Sequence, residues 1–140
     1  MSNAEVLSRS AATVDDRAVL LVEDNFLNQM VADGMLRLLG YTARCVVNGL
    51  EALEELQSLT YPIVLMDVHM PELDGFETTR RIRAEMPIDR QPYIIAVTAN
   101  AMPGDADRCR AAGMDDYVSK PLSKEALRAA LLRARRRVES

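Results

Sequence analysis

Five short apolar runs alternate with five longer stretches of helical period, and this alternation limits the fold more than any other feature of the chain. The runs are AVLLVE (18–23), YTARCVV (41–47), PIVLMD (62–67), YIIAVT (93–98) and DDYVS (115–119). Continuous apolar runs of this length, rich in Val, Ile and Leu, read as strands buried on both faces. Each is followed by a stretch that reads as a helix. FLNQMVADGMLRLL (26–39) places Leu27, Met30, Val31, Met35 and Leu38 at helical spacing, and Gly40 stops it. Residues 48–59 and 74–86 each open on a capping-box pair, Asn48 with Glu51 and Asp74 with Glu77. Residues 103–112 carry Pro103 in the first turn and Gly113 just past the end. Residues 123–138 begin at a capping Ser123 and crowd four arginines at the far end, which reads as a solvated helix end favoured by the dipole. The order βαβαβαβαβα predicts an α/β fold, a doubly wound five-stranded parallel sheet covered on both faces with right-handed crossovers. The second run is the most polar and is expected near an edge.

A chain of 140 residues fits one domain with one sizeable core. With 49% hydrophobic and 27% charged residues it has a globular balance, and no apolar stretch approaches the ~18 residues needed to span a bilayer. The net charge of −4 does not suit nucleic acid as the main partner. Cys45 and Cys109 match no metal or redox spacing and read as buried, reduced thiols of a cytoplasmic protein. His69 is the only histidine, which excludes His-rich zinc sites. Residues 1–16 read as a flexible N-terminal segment in which MSNA is an expression remnant, leaving 17–140 as the folded domain.

In an open parallel sheet, ligands bind at the carboxyl ends of the strands. The first run delivers Glu23 and Asp24 there, the third Asp67, the fourth Thr98 and the fifth Lys120, followed by Pro121. Taken singly, each acid reads equally well as a cap or loop residue. Together they place three carboxylates, a hydroxyl and an ammonium on one edge. Carboxylates so crowded repel, and a divalent cation with hard oxygen ligands, Mg²⁺, resolves the repulsion. Metal, lysine and hydroxyl together suit the oxygens of a phosphoryl group, with Asp67 as a nucleophile forming an acyl phosphate. The chain has 15 arginines and two lysines, so a lysine at 120 suggests that a compact point charge is wanted there.

The stretches LLVEDNFLNQMVA, VLMDVHMPELDG, IIAVTANAM and AAGMDDYVSKP, in this order and spacing, resemble the receiver domain of two-component response regulators. EDNFLNQ and MDVHMPELDG are most similar to receivers of hybrid sensor histidine kinases and their phosphorelays. The resemblance covers the chain from about Ala18 to the last helix. It implies a flavodoxin-like (βα)5 fold with strand order 2-1-3-4-5. It further implies Asp67 as phosphoacceptor and Asp24 as a direct Mg²⁺ ligand, with Glu23 acting through water and the His69 backbone carbonyl completing the set. Thr98 and Lys120 would bind phosphoryl oxygens, Tyr117 would be the switch aromatic, and the Lys120–Pro121 bond would be cis. The implied partner is a histidine kinase dimerisation domain or a histidine phosphotransfer domain. No nucleic-acid or membrane contact is expected of this domain, which is expected in the cytoplasm; a parent sensor could be membrane-anchored. Phosphorylation is expected to change the surface of the fourth helix, fifth strand and fifth helix, through which a weak homodimer could also form. On this reading the domain is a switch and not an enzyme. His69 and Asn100, two residues beyond Asp67 and Thr98, are expected to set the lifetime of the acyl phosphate, against an even alternative that they are solvated loop residues.

Three rival readings are weaker. A haloacid-dehalogenase-type phosphatase places its nucleophile after the first strand with a second Asp two residues on, whereas Asp67 follows the third and is succeeded by Val68 and His69. A flavin module needs aromatic cover that four Tyr and two Phe supply thinly. A degenerate receiver would lack one of the acids or Lys120. No DNA-binding or catalytic domain follows residue 140, so the chain reads as a stand-alone receiver or, on its hybrid-like phrases, as a piece of a larger protein.

Overall fold

The computed structural model describes residues 12–13, 16–70, 73–99 and 103–139. Five strands form one parallel sheet: β1 (Ala18–Val22), β2 (Thr42–Val46), β3 (Ile63–Asp67), β4 (Tyr93–Thr98) and β5 (Asp116–Ser119). Their spatial order is β2-β1-β3-β4-β5. Helices α1 (Phe26–Leu38), α2 (Gly49–Ser58), α3 (Gly75–Glu85), α4 (Pro103–Ala112) and α5 (Lys124–Glu139) follow the strands in turn. The fold is the flavodoxin-like one that the alternation and the family resemblance imply.

The period of two along a strand divides the core. Leu20, Val22, Val64, Met66, Ile94 and Ala96 face α2, α3 and α4. Val19, Leu21, Ile63, Leu65, Ile95 and Val97 face α1 and α5. β1, β3 and β4 are buried throughout, whereas β2, at the edge, alternates with exposed residues. Helix ends follow local chemistry. The side chains of Asn48, Asp74 and Ser123 accept from the backbone N–H three residues on. Only one of the two capping boxes is reciprocated, and loosely: Glu51 reaches back to the N–H of Val47, while Glu77 turns to Arg80 and Arg81. Gly40 (φ 89°) and Gly113 (φ 104°) close α1 and α4 in left-handed turns. In both, the following residue's N–H reaches back to the carbonyl five residues earlier, as Tyr41 does to Leu36 and Met114 to Cys109.

Two expectations need correction, on the N-terminal segment and on Cys45, and two gain detail. The segment before residue 17 is not wholly a flexible lead-in, because Ala12–Thr13 pairs in parallel with Leu59–Thr60 and gives partners to backbone groups at the exit of α2. The arginines at the end of α5 are largely solvated, as expected, but two of them are also paired: Arg133 grips Asp116 at 2.6 and 3.1 Å and Arg137 lies 3.4 Å from Asp115, because α5 packs antiparallel to β5 and brings them past these acids. Cys109 is buried but Cys45, on the edge strand, is only half-buried. Leu27, Met30, Val31 and Leu38 lie on a helix as their spacing predicts; they face outward, and α1 packs inward through Ala32 and Leu36. Asn100 lies outside the described residues.

Candidate functional site

Parallel pairing brings the carboxyl ends of β1, β3, β4 and β5 to one edge, and the ladder continues past the strands. Glu23 N–H donates to Val46 O, Val68 N–H to Val97 O, and Lys120 N–H to Thr98 O. In register, Asp67 stands beside Val97, so Thr98 is one residue further out on the neighbouring strand. Glu23, Asp67 and Thr98 are each buried, at 5%, 2% and 2% exposure, whereas Asp24 is exposed.

Carboxylate oxygens of Glu23, Asp24 and Asp67 lie within 4.8 Å of one another. The Lys120 ammonium stands 3.3 Å from Asp67 Oδ2 and 3.8 Å from Glu23 Oε1. Two backbone donors brace the acids, Asn25 N–H to Glu23 Oε2 at 3.1 Å and His69 N–H to Asp67 Oδ1 at 3.0 Å. Gln29 ties the loop down by donating from Nε2 to Glu23 O at 2.7 Å. Burial pushes the Glu23 carboxyl above its usual range; the Asn25 N–H pulls it back, the Asp67 carboxylate pushes it further and Lys120 opposes. A site with more carboxylate than its one ammonium balances, and with all-oxygen donors on an open edge, fits a hard divalent cation such as Mg²⁺. The Lys120–Pro121 peptide is cis. Tyr117 is 37% exposed on β5, and His69 is exposed.

Gly75, the first residue of α3, makes room for the strand beside it. A Cβ there would lie 2.5 Å from Asp67 O and 2.7 Å from Val68 Cα. The first residue of α3 therefore packs directly on the end of β3, and its N–H donates to Val68 O at 3.2 Å. Sequence reading also missed the Asn25 and Gln29 braces, for which the only available signal was polar residues adjoining an acidic pair. A cavity of about 440 Å³ opens beside the acids between α1 and the loop after β5, with Asn28, Val31, Asp67, Lys120 and Pro121 in its walls.

A sequence profile of the response regulator receiver domain matches residues 19–132. The chain belongs to the response regulator receiver domain family. Its relatives include "Probable histidine kinase 1" of Oryza sativa subsp. indica, 38% identical over 83% of this chain, and "Sensor histidine kinase RcsC" of Salmonella typhi, 36% identical over 88%. The receiver spans only 15% and 13% of the lengths of these two proteins. Among solved structures it is similar to the receiver domain of sensor histidine kinase PA1611 from Pseudomonas aeruginosa PAO1, described with a magnesium ion coordinated in the active site cleft. The two are 44% identical with a TM-score of 0.75, over 84% of this chain and 95% of that one. The chemotaxis protein CheY4 of Vibrio cholerae is 29% identical with a TM-score of 0.74, over 84% and 97%. The chain is thus a receiver domain of two-component signalling, of the kind found in hybrid histidine kinases. No helix among the described residues is long and apolar enough to cross a membrane.

Proposed function

We propose that this receiver takes a phosphoryl group from a phosphohistidine of a partner onto Asp67 and relays the change through its α4–β5–α5 surface. The observation that carries this reading is the meeting of Lys120, 3.3 Å from Asp67 Oδ2, with the three clustered carboxylates. An Asp67 oxygen attacks the phosphorus in line. The O–P bond forms as the N–P bond breaks, and that electron pair returns to the imidazole nitrogen. Lys120 and the Thr98 hydroxyl then meet the oxygens of the transferred group, a role supported by the ammonium's 3.3 Å approach to Asp67 and by Thr98 standing one residue beyond Asp67's neighbour Val97. Glu23, Asp24, Asp67 and the His69 carbonyl would hold Mg²⁺, which when bound neutralises charge on the phosphoryl oxygens.

Phosphorylated Asp67 then draws Thr98 inward, and Tyr117, now outward, follows into the space that Thr98 leaves. His69 and Asn100 set the lifetime of the acyl phosphate by admitting or hindering water, so exchanging either for alanine changes the dephosphorylation half-life. The partner is a histidine kinase dimerisation domain or a histidine phosphotransfer domain. Because Asp67 is only 2% exposed, the donor must lie against the rim that α1 and the loops provide.

The test is incubation with Mg²⁺ and acetyl phosphate followed by intact mass. One phosphoryl group is expected, lost in Asp67→Asn and when metal is chelated. A chain that turns over many equivalents, or an adduct that survives in Asp67→Asn, overturns the assignment.

A further inference from the structure

The cavity between α1 and the loop after β5 is divided in its chemistry. Its charged groups are Glu23, Asp67 and Lys120, and they lie together, the ammonium 3.8 and 3.3 Å from the two carboxylates. Apart from Asn28, the rest of its wall is apolar: Leu21, Leu65 and Val97 from the sheet, Val31 and Ala32 from α1, and Leu122 from the loop. A volume of about 440 Å³, apolar walls and a few convergent polar groups are the form of a small-molecule site. The space is there because α1 turns only the methyl of Ala32 towards the sheet at this point, whereas one turn further on it packs with Leu36. Phosphoryl oxygens and a hydrated cation need polar partners, so they use the charged end alone. The apolar part suits a body joined to the phosphoryl group.

We infer that this receiver prefers, among small acyl phosphates, those with an acyl chain longer than acetyl, and that Ala32 and Leu122 set the length accepted. This rests on the reading of Asp67 as phosphoacceptor. The donor class follows from the product. Phosphorylated Asp67 is itself an acyl phosphate, so a donor with the same kind of bond transfers its phosphoryl group with little change in bond energy, whereas a phosphate monoester holds it too firmly. An Asp67 carboxylate oxygen attacks the phosphorus. The new O–P bond forms as the bond from phosphorus to the acyl oxygen breaks, and that electron pair leaves on the oxygen of a free carboxylate. No proton and no oxidant is required. The chain on that carboxylate lies against Val31, Ala32 and Leu122, which wall the same cavity as the reacting Asp67. Burial of each methylene there favours the longer donor about fourfold.

The experiment labels the full chain in Mg²⁺ with acetyl, propanoyl or butanoyl phosphate at equal concentrations well below saturation. Intact mass is the readout, and Asp67→Asn is the control for the labelled residue. The three leaving carboxylates are of similar basicity, so the rates differ through contacts and not through bond strength. Each added methylene should raise the labelling rate about fourfold. The butanoyl-to-acetyl ratio should fall towards one in Ala32→Leu, which fills the space. In Leu122→Ala, which lengthens it, hexanoyl phosphate should gain on butanoyl phosphate. Ratios are taken within one preparation, so a loss of folded chain cancels. Ala32→Leu crowds a buried position; Leu122→Ala, at a half-buried one, decides the matter where the first variant does not fold. A butanoyl-to-acetyl ratio of one or below in the unsubstituted chain overturns the inference and leaves the receiver reading intact, as does a higher ratio that neither variant moves. Failure of every donor to label Asp67 overturns the reading beneath it.

Discussion

Glu23 loses nearly all its water on folding, with 5% of it left exposed, and its carboxylate then shares a small space with Asp67. Its carboxyl is raised above the usual 4.5, first by desolvation, then by Asp67, against the pull of the Asn25 N–H and Lys120. The consequence for stability has a definite sign. Above the ordinary value the unfolded chain has lost this proton while the native state still holds it. Stability of the metal-free domain therefore falls as pH rises from 4.5 through the raised native value, by at most about 1.4 kcal/mol per pH unit for this one group. Urea unfolding in EDTA across that window should show the decline in the wild type and a flatter profile in Glu23→Gln; equal slopes would mean the penalty lies elsewhere. Gly75 makes a second residue-scale prediction. Gly75→Ala sets a methyl 2.5 Å from the Asp67 carbonyl, against backbone that cannot yield without moving β3 or α3. A loss of about 1–3 kcal/mol is expected in the same unfolding assay, with slower labelling of Asp67. That Asp67 and Gly75 belong to one motif was legible in the sequence. That the glycine makes room for the backbone of the reactive residue was not, because the contact joins a strand end to a helix start and depends on how closely the two approach.

Between elements, the far end of α3 is held by side chains that the hydrophobic pattern does not reveal. Gln91 donates from Nε2 to the carbonyls of Ile82, Arg83 and Met86, closing the helix end. Arg83 donates to Gly113 O, Gln91 Oε1, Pro92 O and Asp115 Oδ2, all between 2.7 and 2.8 Å. One guanidinium thus joins α3, the start of β4 and the turn into β5, at the opposite edge from the acids. Arg83→Lys keeps the charge but has no fork to serve four acceptors, so about 2–3 kcal/mol of stability should be lost, with Asp67 labelling by acetyl phosphate unchanged. A variant as stable as the wild type would show the clamp to be incidental. The strands were legible because a doubly covered parallel sheet needs continuous apolar runs, and the caps because Asn48, Asp74 and Ser123 act within three residues. The direction of α1 was not legible. Apolar residues at helical spacing locate a helix but not which face is buried, and here Ala32 and Leu36, with Met35 beside them, face the core while Leu27, Met30, Val31 and Leu38 point out.

For the molecule as a whole, the site is a product of topology, which is why its membership could be read from the chain while its distances could not. Five strands running the same way must end on the same edge, so the residues following β1, β3, β4 and β5 meet whatever their identities. What meets is an excess of negative charge over one lysine, held in place by a sheet whose core lies on both sides of it. Folding without metal therefore works against that repulsion, and a divalent cation bound only by the native arrangement must stabilise the fold. Linkage fixes the amount: at a free Mg²⁺ concentration 100 times Kd the gain is about 2.7 kcal/mol. Unfolding free energies at that Mg²⁺ concentration should exceed those in EDTA by that margin, and should rise logarithmically with concentration. Asp24→Asn, at the exposed member of the cluster, should remove most of the dependence with little effect on the metal-free stability, since Asp24 is already solvated. Glu23→Gln should instead weaken the dependence and stabilise the metal-free protein, because its carboxylate is the buried one. Equal responses from the two variants would show that the carboxylates act only as a diffuse negative field, and not as a site in which the buried member bears the cost of desolvation and the exposed member meets the ion.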